Sequence, residues 1–165
     1  MATPDILTCD VEQVEVIASN SSPGPDFAYS WTAANGGNIV QGANSLVLVV
    51  DAPGLYNLVI TDETNGCTTQ SSMSVQQDIA VPDAQATAGD ILDCVTEQVG
   101  LSGEGSATGS NITYQWATSA GNILTGANSL TPQVSAPGPY QLIVTDTENG
   151  CSNTVTVIVE EDTDV

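Results

Sequence analysis

Two antiparallel β-sandwiches in series, with no helical part, are what three features of this sequence predict. The chain repeats itself: Cys9, Val14 and Tyr29-Ser-Trp31 recur 85 positions later as Cys94, Val99 and Tyr114-Gln-Trp116. Beyond the tryptophan the offset falls to 84, and Gly42-Ala-Asn-Ser-Leu46, Ala52-Pro-Gly54 and Tyr56 recur as Gly126-Ala-Asn-Ser-Leu130, Ala136-Pro-Gly138 and Tyr140. Within each repeat apolar and polar residues alternate, the period of a strand with one buried face, and turn residues break the pattern about every 8–12 positions. Such patterning suits a sandwich, and no window sustains a 3.6-residue period. The repeats divide the chain into domains 1–80 and 81–165, with a connector at about 78–90.

The elements follow in order. Val14, Val16 and Ala18 define a first strand, and Phe27, Tyr29 and Trp31 an aromatic second one. Leu46, Leu48 and Val50 make a third, and Tyr56, Leu58 and Ile60 a fourth. Met73 and Val75 share the parity of Cys67, so the last strand starts at a cysteine expected to face inward. The second copy reads alike: Val99 and Leu101; Ile112, Tyr114 and Trp116; Leu130 and Val134; Tyr140, Leu142 and Val144; Val155, Val157 and Val159. "TDETNGC" (Thr61–Cys67) and "TDTENGC" (Thr145–Cys151) join the last two strands of each repeat. Their Asn-Gly pairs supply the positive-φ residues that a tight hairpin wants. Trp31, Tyr56, Trp116 and Tyr140 are the expected core signature, packed inside rather than stacked on a sugar.

One cysteine lies near the start of each repeat and one near its end. Four cysteines allow three pairings, and pairing within the repeat, Cys9–Cys67 and Cys94–Cys151, lets each unit stand alone. Closing a loop of nearly 60 residues would stabilise each small domain by ~4 kcal/mol. Four reduced thiols are the alternative, while the absence of His and of CxxC spacing speaks against a zinc site. Disulfides imply an oxidising, extracytoplasmic compartment.

Composition excludes several functions. The chain has 20 Asp plus Glu and no Lys, Arg or His. Nucleic acid and anionic lipid are bound mainly by cations, and a phosphate-binding loop needs its lysine. A lysine-based isopeptide cross-link is equally excluded. No apolar run approaches the roughly 20 residues of a membrane-spanning helix, so no membrane insertion is expected of this segment. Without His, Lys or Arg a nucleophile has no ordinary base and an oxyanion no cation, so no enzyme is expected. Paired carboxylates could hydrolyse glycosides, but Asp51 and Asp62 sit at strand ends, and Asp51 becomes Ser135 in the second copy.

The "Y-x-W" strand and the run "G-x-Y-x-L-x-V/I-T-D-x-x-N-G-C", carried by both repeats nearly end to end, resemble the PKD-like and SprB-type Ig-like repeats of giant Bacteroidota surface adhesins. The "WDFGDG" element of strict PKD domains is replaced by Trp31-Thr-Ala-Ala-Asn-Gly-Gly and Trp116-Ala-Thr-Ser-Ala-Gly. The resemblance implies two tandem Ig-like sandwiches, each with one disulfide, in a type IX secretion cargo on the cell surface. It also implies a fibre or stalk that projects adhesive surfaces, used in gliding or in capturing prey and surfaces. The expected partners are neighbouring repeats of the same chain and other copies in a filament. The tail "EEDTDV" occupies the place of "QQDIAV", and "ATPDILTC" matches the end of the connector, as in an excerpt from an array with Met1 as an added initiator. A carbohydrate- or ligand-binding accessory module is the rival reading.

Acidic residues raise one cofactor expectation, Ca²⁺, which takes six to eight oxygens. The candidate ligands are Asp78, Asp83, Asp90 and Asp93 of the connector with Asp146 and Glu148 of the second hairpin, meeting at the repeat junction. A solvated acidic face is the plainer expectation for the same residues. Two N-x-S/T sequons, Asn20-Ser-Ser22 and Asn111-Ile-Thr113, precede the aromatic strands and are read as incidental.

Overall fold

The computed structural model describes residues 6–18 and 24–163; the first sequon and Met1 lie outside them. Among the described residues there are thirteen strands and no helix, so none is long and apolar enough to cross a membrane. The chain divides into two compact units, Met1–Ile79 and Ala80–Val165.

The first unit has two three-stranded antiparallel sheets. One holds β1 (Val14–Ile17), β4 (Val47–Val50) and β3 (Ile39–Gln41) in the order β1-β4-β3. The other holds β2 (Phe27–Ala34), β5 (Gly54–Asp62) and β6 (Thr68–Val75) in the order β2-β5-β6. Strand β5 is the centre of this second sheet, paired from Phe27↔Asp62 on one side to Thr61↔Thr68 on the other. Val14, Val16, Trp31, Leu48, Val50, Tyr56, Leu58 and Val75 fill the core between the sheets.

The second unit repeats the plan. Strands β7 (Thr87–Ala88), β8 (Val99–Ser102), β11 (Gln133–Val134) and β10 (Ile123–Thr125) form one sheet in the order β10-β11-β8-β7. Strands β9 (Ile112–Thr118), β12 (Gly138–Asp146) and β13 (Ser152–Val159) form the other, in the order β13-β12-β9. Strand β11 is shorter than its counterpart β4 because Pro132 stands where the first unit has Leu48. Proline has no N–H to give a ladder, so Pro132 contributes only its carbonyl, which accepts from Leu101 N–H at 3.0 Å.

The short strands β3 and β10 do not stand out in the sequence. Each is three residues long with a single half-buried apolar residue at its start, too little for a period to register. Their presence changes which end of the unit the last hairpin occupies.

The hairpin turns also differ from expectation. Gly66 and Gly150 have φ of 74° and 73°, but Asn65 and Asn149 are not in the left-handed region. The turn is a four-residue loop, closed by Gly66 N–H to Asp62 O (2.7 Å) and Gly150 N–H to Asp146 O (2.9 Å). Each asparagine acts through its side chain, its Oδ1 accepting from the following cysteine's N–H at 2.8 Å in one unit and 2.9 Å in the other.

Candidate functional site

The four cysteines are the chemically distinctive groups of the chain. Cys9 and Cys151 are disulfide-bonded, while Cys67 and Cys94 are free and exposed. The expected pairs, Cys9–Cys67 and Cys94–Cys151, are therefore not formed.

The geometry of each unit explains the correction. Leu7 lies parallel to the chain just beyond β6: Leu7 N–H donates to Gln76 O (3.1 Å) and Asp78 N–H to Leu7 O (2.8 Å). Cys9, two residues on, thus sits where the chain leaves the first unit. Cys67 immediately precedes β6, at its opposite end. Eight residues of strand span ~26 Å, whereas bonded cysteines have Cα atoms within ~7 Å. The second unit repeats the arrangement through Leu92 N–H to Glu160 O (2.9 Å) and Asp162 N–H to Leu92 O (2.8 Å). Cys94 and Cys151 are likewise at opposite ends of an eight-residue strand, β13. Every unit therefore carries a cysteine at its downstream end and another on its upstream hairpin.

Both positions are rigidly presented. Thr8 Oγ1 accepts from the N–H groups of Asp10 (3.2 Å) and Val11 (3.0 Å), holding Cys9 in a tight turn. Asp93 does the same around Cys94, its Oδ1 accepting from Val95 N–H (2.7 Å) and Thr96 N–H (2.5 Å). These bonds, that from Thr96 foremost, hold the Asp93 carboxyl below the usual carboxylate range.

The two hairpins match as closely. Asp62 and Asp146 each fold back on the loop, Oδ1 accepting from the N–H of Thr64 and Glu148 respectively, both at 2.9 Å. Asp62 also takes the Thr64 hydroxyl at 2.6 Å and the Asn65 amide at 2.9 Å. Together these bonds lower its pKa, the Thr64 hydroxyl contributing most.

The cysteine that follows differs in burial. Cys151 is 1% exposed and Cys67 is exposed, although parity predicts both to point inward. A hairpin tip projects past the end of the sandwich, where no opposing sheet covers it. In the second unit the segment Ala80–Pro82 crosses the hairpin, Asn149 Nδ2 donating to Ala80 O (2.9 Å) and Asn153 Nδ2 to Pro82 O (3.0 Å).

The core signature residues occupy the interiors of the units. Trp31 and Trp116 are 4% and 3% exposed, so neither presents a face to a sugar. Each Nε1–H donates at 2.9 Å to a backbone carbonyl, that of Ser45 or Ser129. The Tyr56 hydroxyl donates to Ala52 O at 2.6 Å and accepts from Asn38 N–H at 2.9 Å. Tyr140 does so with Ala136 O at 2.7 Å and Asn122 N–H at 2.8 Å. A tyrosine at the start of the central strand that bonds back to the backbone four residues earlier is a tyrosine corner. With the sheet orders above and a buried tryptophan on the strand beside it, the assignment is settled. The fold is immunoglobulin-like.

No protein-family profile matches the chain, and no curated protein matches it either. Solved structures do. Murine CEACAM1b is similar over 92% of this chain and 93% of its own, with 13% identity and a TM-score of 0.40. The three N-terminal domains of the highly immunogenic outer capsid protein of bacteriophage RB49 are similar over 96% of this chain and 58% of theirs, with 11% identity and a TM-score of 0.44. The four N-terminal Ig domains of Dscam1 isoform 1.9 follow at 13% identity, 94% and 42% coverage, and a TM-score of 0.37. The fold assignment rests on the sheet order and the tyrosine corner rather than on these likenesses.

Among the described residues no three His, Cys, Asp or Glu side chains form a group able to hold a metal ion. Asp90 Oδ1 accepts from Ile91 N–H, and Asp146 takes the Asn111 amide, each at 2.9 Å. Asp78 gives its N–H to Leu7, and the Asp83 carbonyl accepts from Ala107 N–H. Glu148 lies in the hairpin loop with its N–H on Asp146. Asp51 accepts from Asn38 Nδ2 at 2.7 Å, a place that Ser135 takes in the second unit with Asn122 at 2.8 Å. The carboxylates of Asp51, Asp90 and Asp146 thus brace turns and strand ends. Surface grooves run along the outer faces of the sheets, one between β9 and β12 beside Thr113, Gln115, Ile143 and Thr145.

Proposed function

We propose that the chain is a structural segment of a long extracellular fibre or stalk of a bacterial surface adhesin, projecting or presenting adhesive surfaces. The observation that carries this reading is the repeated placement of cysteines, one at the downstream end and one on the upstream hairpin of each unit. Units so equipped can be linked in series by covalent bonds as well as by the backbone. The disulfide-bonded state of Cys9 and of Cys151 supports an oxidising, secreted setting. A formal charge of −20 keeps neighbouring fibres apart. The work is mechanical and multivalent rather than catalytic.

Immunogold labelling of intact cells of the source organism with antibody raised against this chain tests the proposal. Label is expected on unpermeabilised cells, along projections standing off the envelope. Label that appears only after permeabilisation would sink it.

A further inference from the structure

The second unit shows what its last hairpin holds. The segment leading into the unit passes the hairpin and the start of β13, Asn149 Nδ2 donating to Ala80 O (2.9 Å) and Asn153 Nδ2 to Pro82 O (3.0 Å). Further along, Ser106 Oγ accepts from Gln85 N–H (2.9 Å) and donates to Gln85 O (3.1 Å). Ala84 and Ala86 pack against the core cluster, as does Val155 of β13. The same hairpin in the first unit is open. Asn65 is the counterpart of Asn149, Thr69 of Asn153 and Ser71 of Val155, and all three are exposed, as are Cys67, Thr68 and Gln70 between them. Asn65 Oδ1 keeps its cap on the Cys67 N–H, but its amide turns back onto its own loop, donating to Asp62 Oδ2 at 2.9 Å. Strand β6 is an outer strand of its sheet and has no charged residue or proline, the residues that commonly blunt an open edge. The run Ala-Val-Pro-Asp-Ala-Gln occurs once in the sequence, ahead of the second unit.

We infer that the edge of the first unit at residues 65–71 is a docking site for an extended, proline-containing connector peptide with the chemistry of residues 80–88. The peptide takes on the first unit the place that this segment takes on the second. On docking, the Asn65 amide leaves Asp62 Oδ2 for the carbonyl two residues before the proline, as Asn149 holds Ala80 O. Thr69 offers a hydroxyl to the proline carbonyl where Asn153 offers an amide. A second copy of this chain is not the occupant, because its own Ala80 and Pro82 carbonyls are already taken by Asn149 and Asn153. The occupant is a connector of this kind from outside the chain. The inference rests on the likeness of the two hairpins and not on the fibre.

The test titrates a synthetic peptide of residues 80–88, blocked at both ends, into the ¹⁵N-labelled full chain. Enough salt is present to cut the Debye length to about 8 Å, since both molecules are negative. The expected result is saturable binding with a dissociation constant in the millimolar range, read as shifts of the Asn65 side-chain amide and of the Gly66, Cys67 and Thr69 N–H signals. The signals of Asn149, Gly150 and Asn153 should stay in place, because their position is filled. Added peptide should slow alkylation of Cys67 and leave that of Cys94 unchanged. Thr69→Asn supplies the second amide and should tighten binding; Asn65→Asp keeps an oxygen for the Cys67 N–H but loses the amide donor and should weaken it. One hydrogen bond gained or lost sets each change at about threefold to tenfold. A scrambled peptide should move nothing. No saturable shift at millimolar peptide overturns the inference, and so do equal shifts from the scrambled peptide, equal shifts at both hairpins, or an affinity that neither variant moves. Shifts of the same signals on raising the chain concentration without peptide also overturn it, since a second copy would then be the occupant.

Discussion

Pulling the chain by its ends should reveal that no bond closes a loop within either unit, because Cys67 and Cys94 are free. The stretch between Cys9 and Cys67, and that between Cys94 and Cys151, is about 57 residues. At 3.3–3.6 Å per residue each holds roughly 190–205 Å of contour length. Single-molecule force spectroscopy with handles at both termini, with and without reductant, reads these lengths directly. Neither should appear as a length that only reduction releases. If reduction released two lengths of about 57 residues, the bonds would lie within the units and the placement of the cysteines at opposite ends of each unit would be wrong.

Three further outcomes follow from the same structure. Tyr56→Phe strips the partner from Ala52 O and Asn38 N–H and should cost about 1–3 kcal/mol in the first unit. Trp116→Ala should cost about 3–5 kcal/mol in the second, read as a selective loss of its unfolding transition. Asp62 and Asp93 have folded pKa values below the ordinary ~3.9, so their contribution is complete above that value and disappears as pH falls through the lowered one. The double variant D62N/D93N should accordingly lose less stability than the parent as pH falls below about 4.

The sequence carries the sandwich and its core more plainly than its joints. Trp31, Tyr56 and their counterparts stand in strands of seven to nine residues whose period is unmistakable, and they lie where the period points. The strands that escape notice, β3 and β10, are three residues long, and that omission matters most for the cysteines. Counting strands without β3, four traversals separate Cys9 from Cys67, which returns the chain to its starting end and makes their bond natural. With β3 the count is five, and the two cysteines face opposite ends. A second signal was present in "NIV" and "NIL", an apolar pair between glycine-rich turns. Exposure of Cys67 was not legible because parity reports a face, not whether a hairpin tip has anything to cover it.

Peptide mapping without reduction is the most direct measurement of the covalent plan. Cleavage before aspartate places the four cysteines on four peptides: Asp5–Cys9, Asp62–Gln77, Asp93–Thr145 and Asp146–Glu161. On this account Asp62–Gln77 and Asp93–Thr145 should be alkylated as free thiols, while the cysteines of the first and last peptides resist alkylation. Asp5–Cys9 joined to Asp62–Gln77, with Asp93–Thr145 joined to Asp146–Glu161, would contradict it.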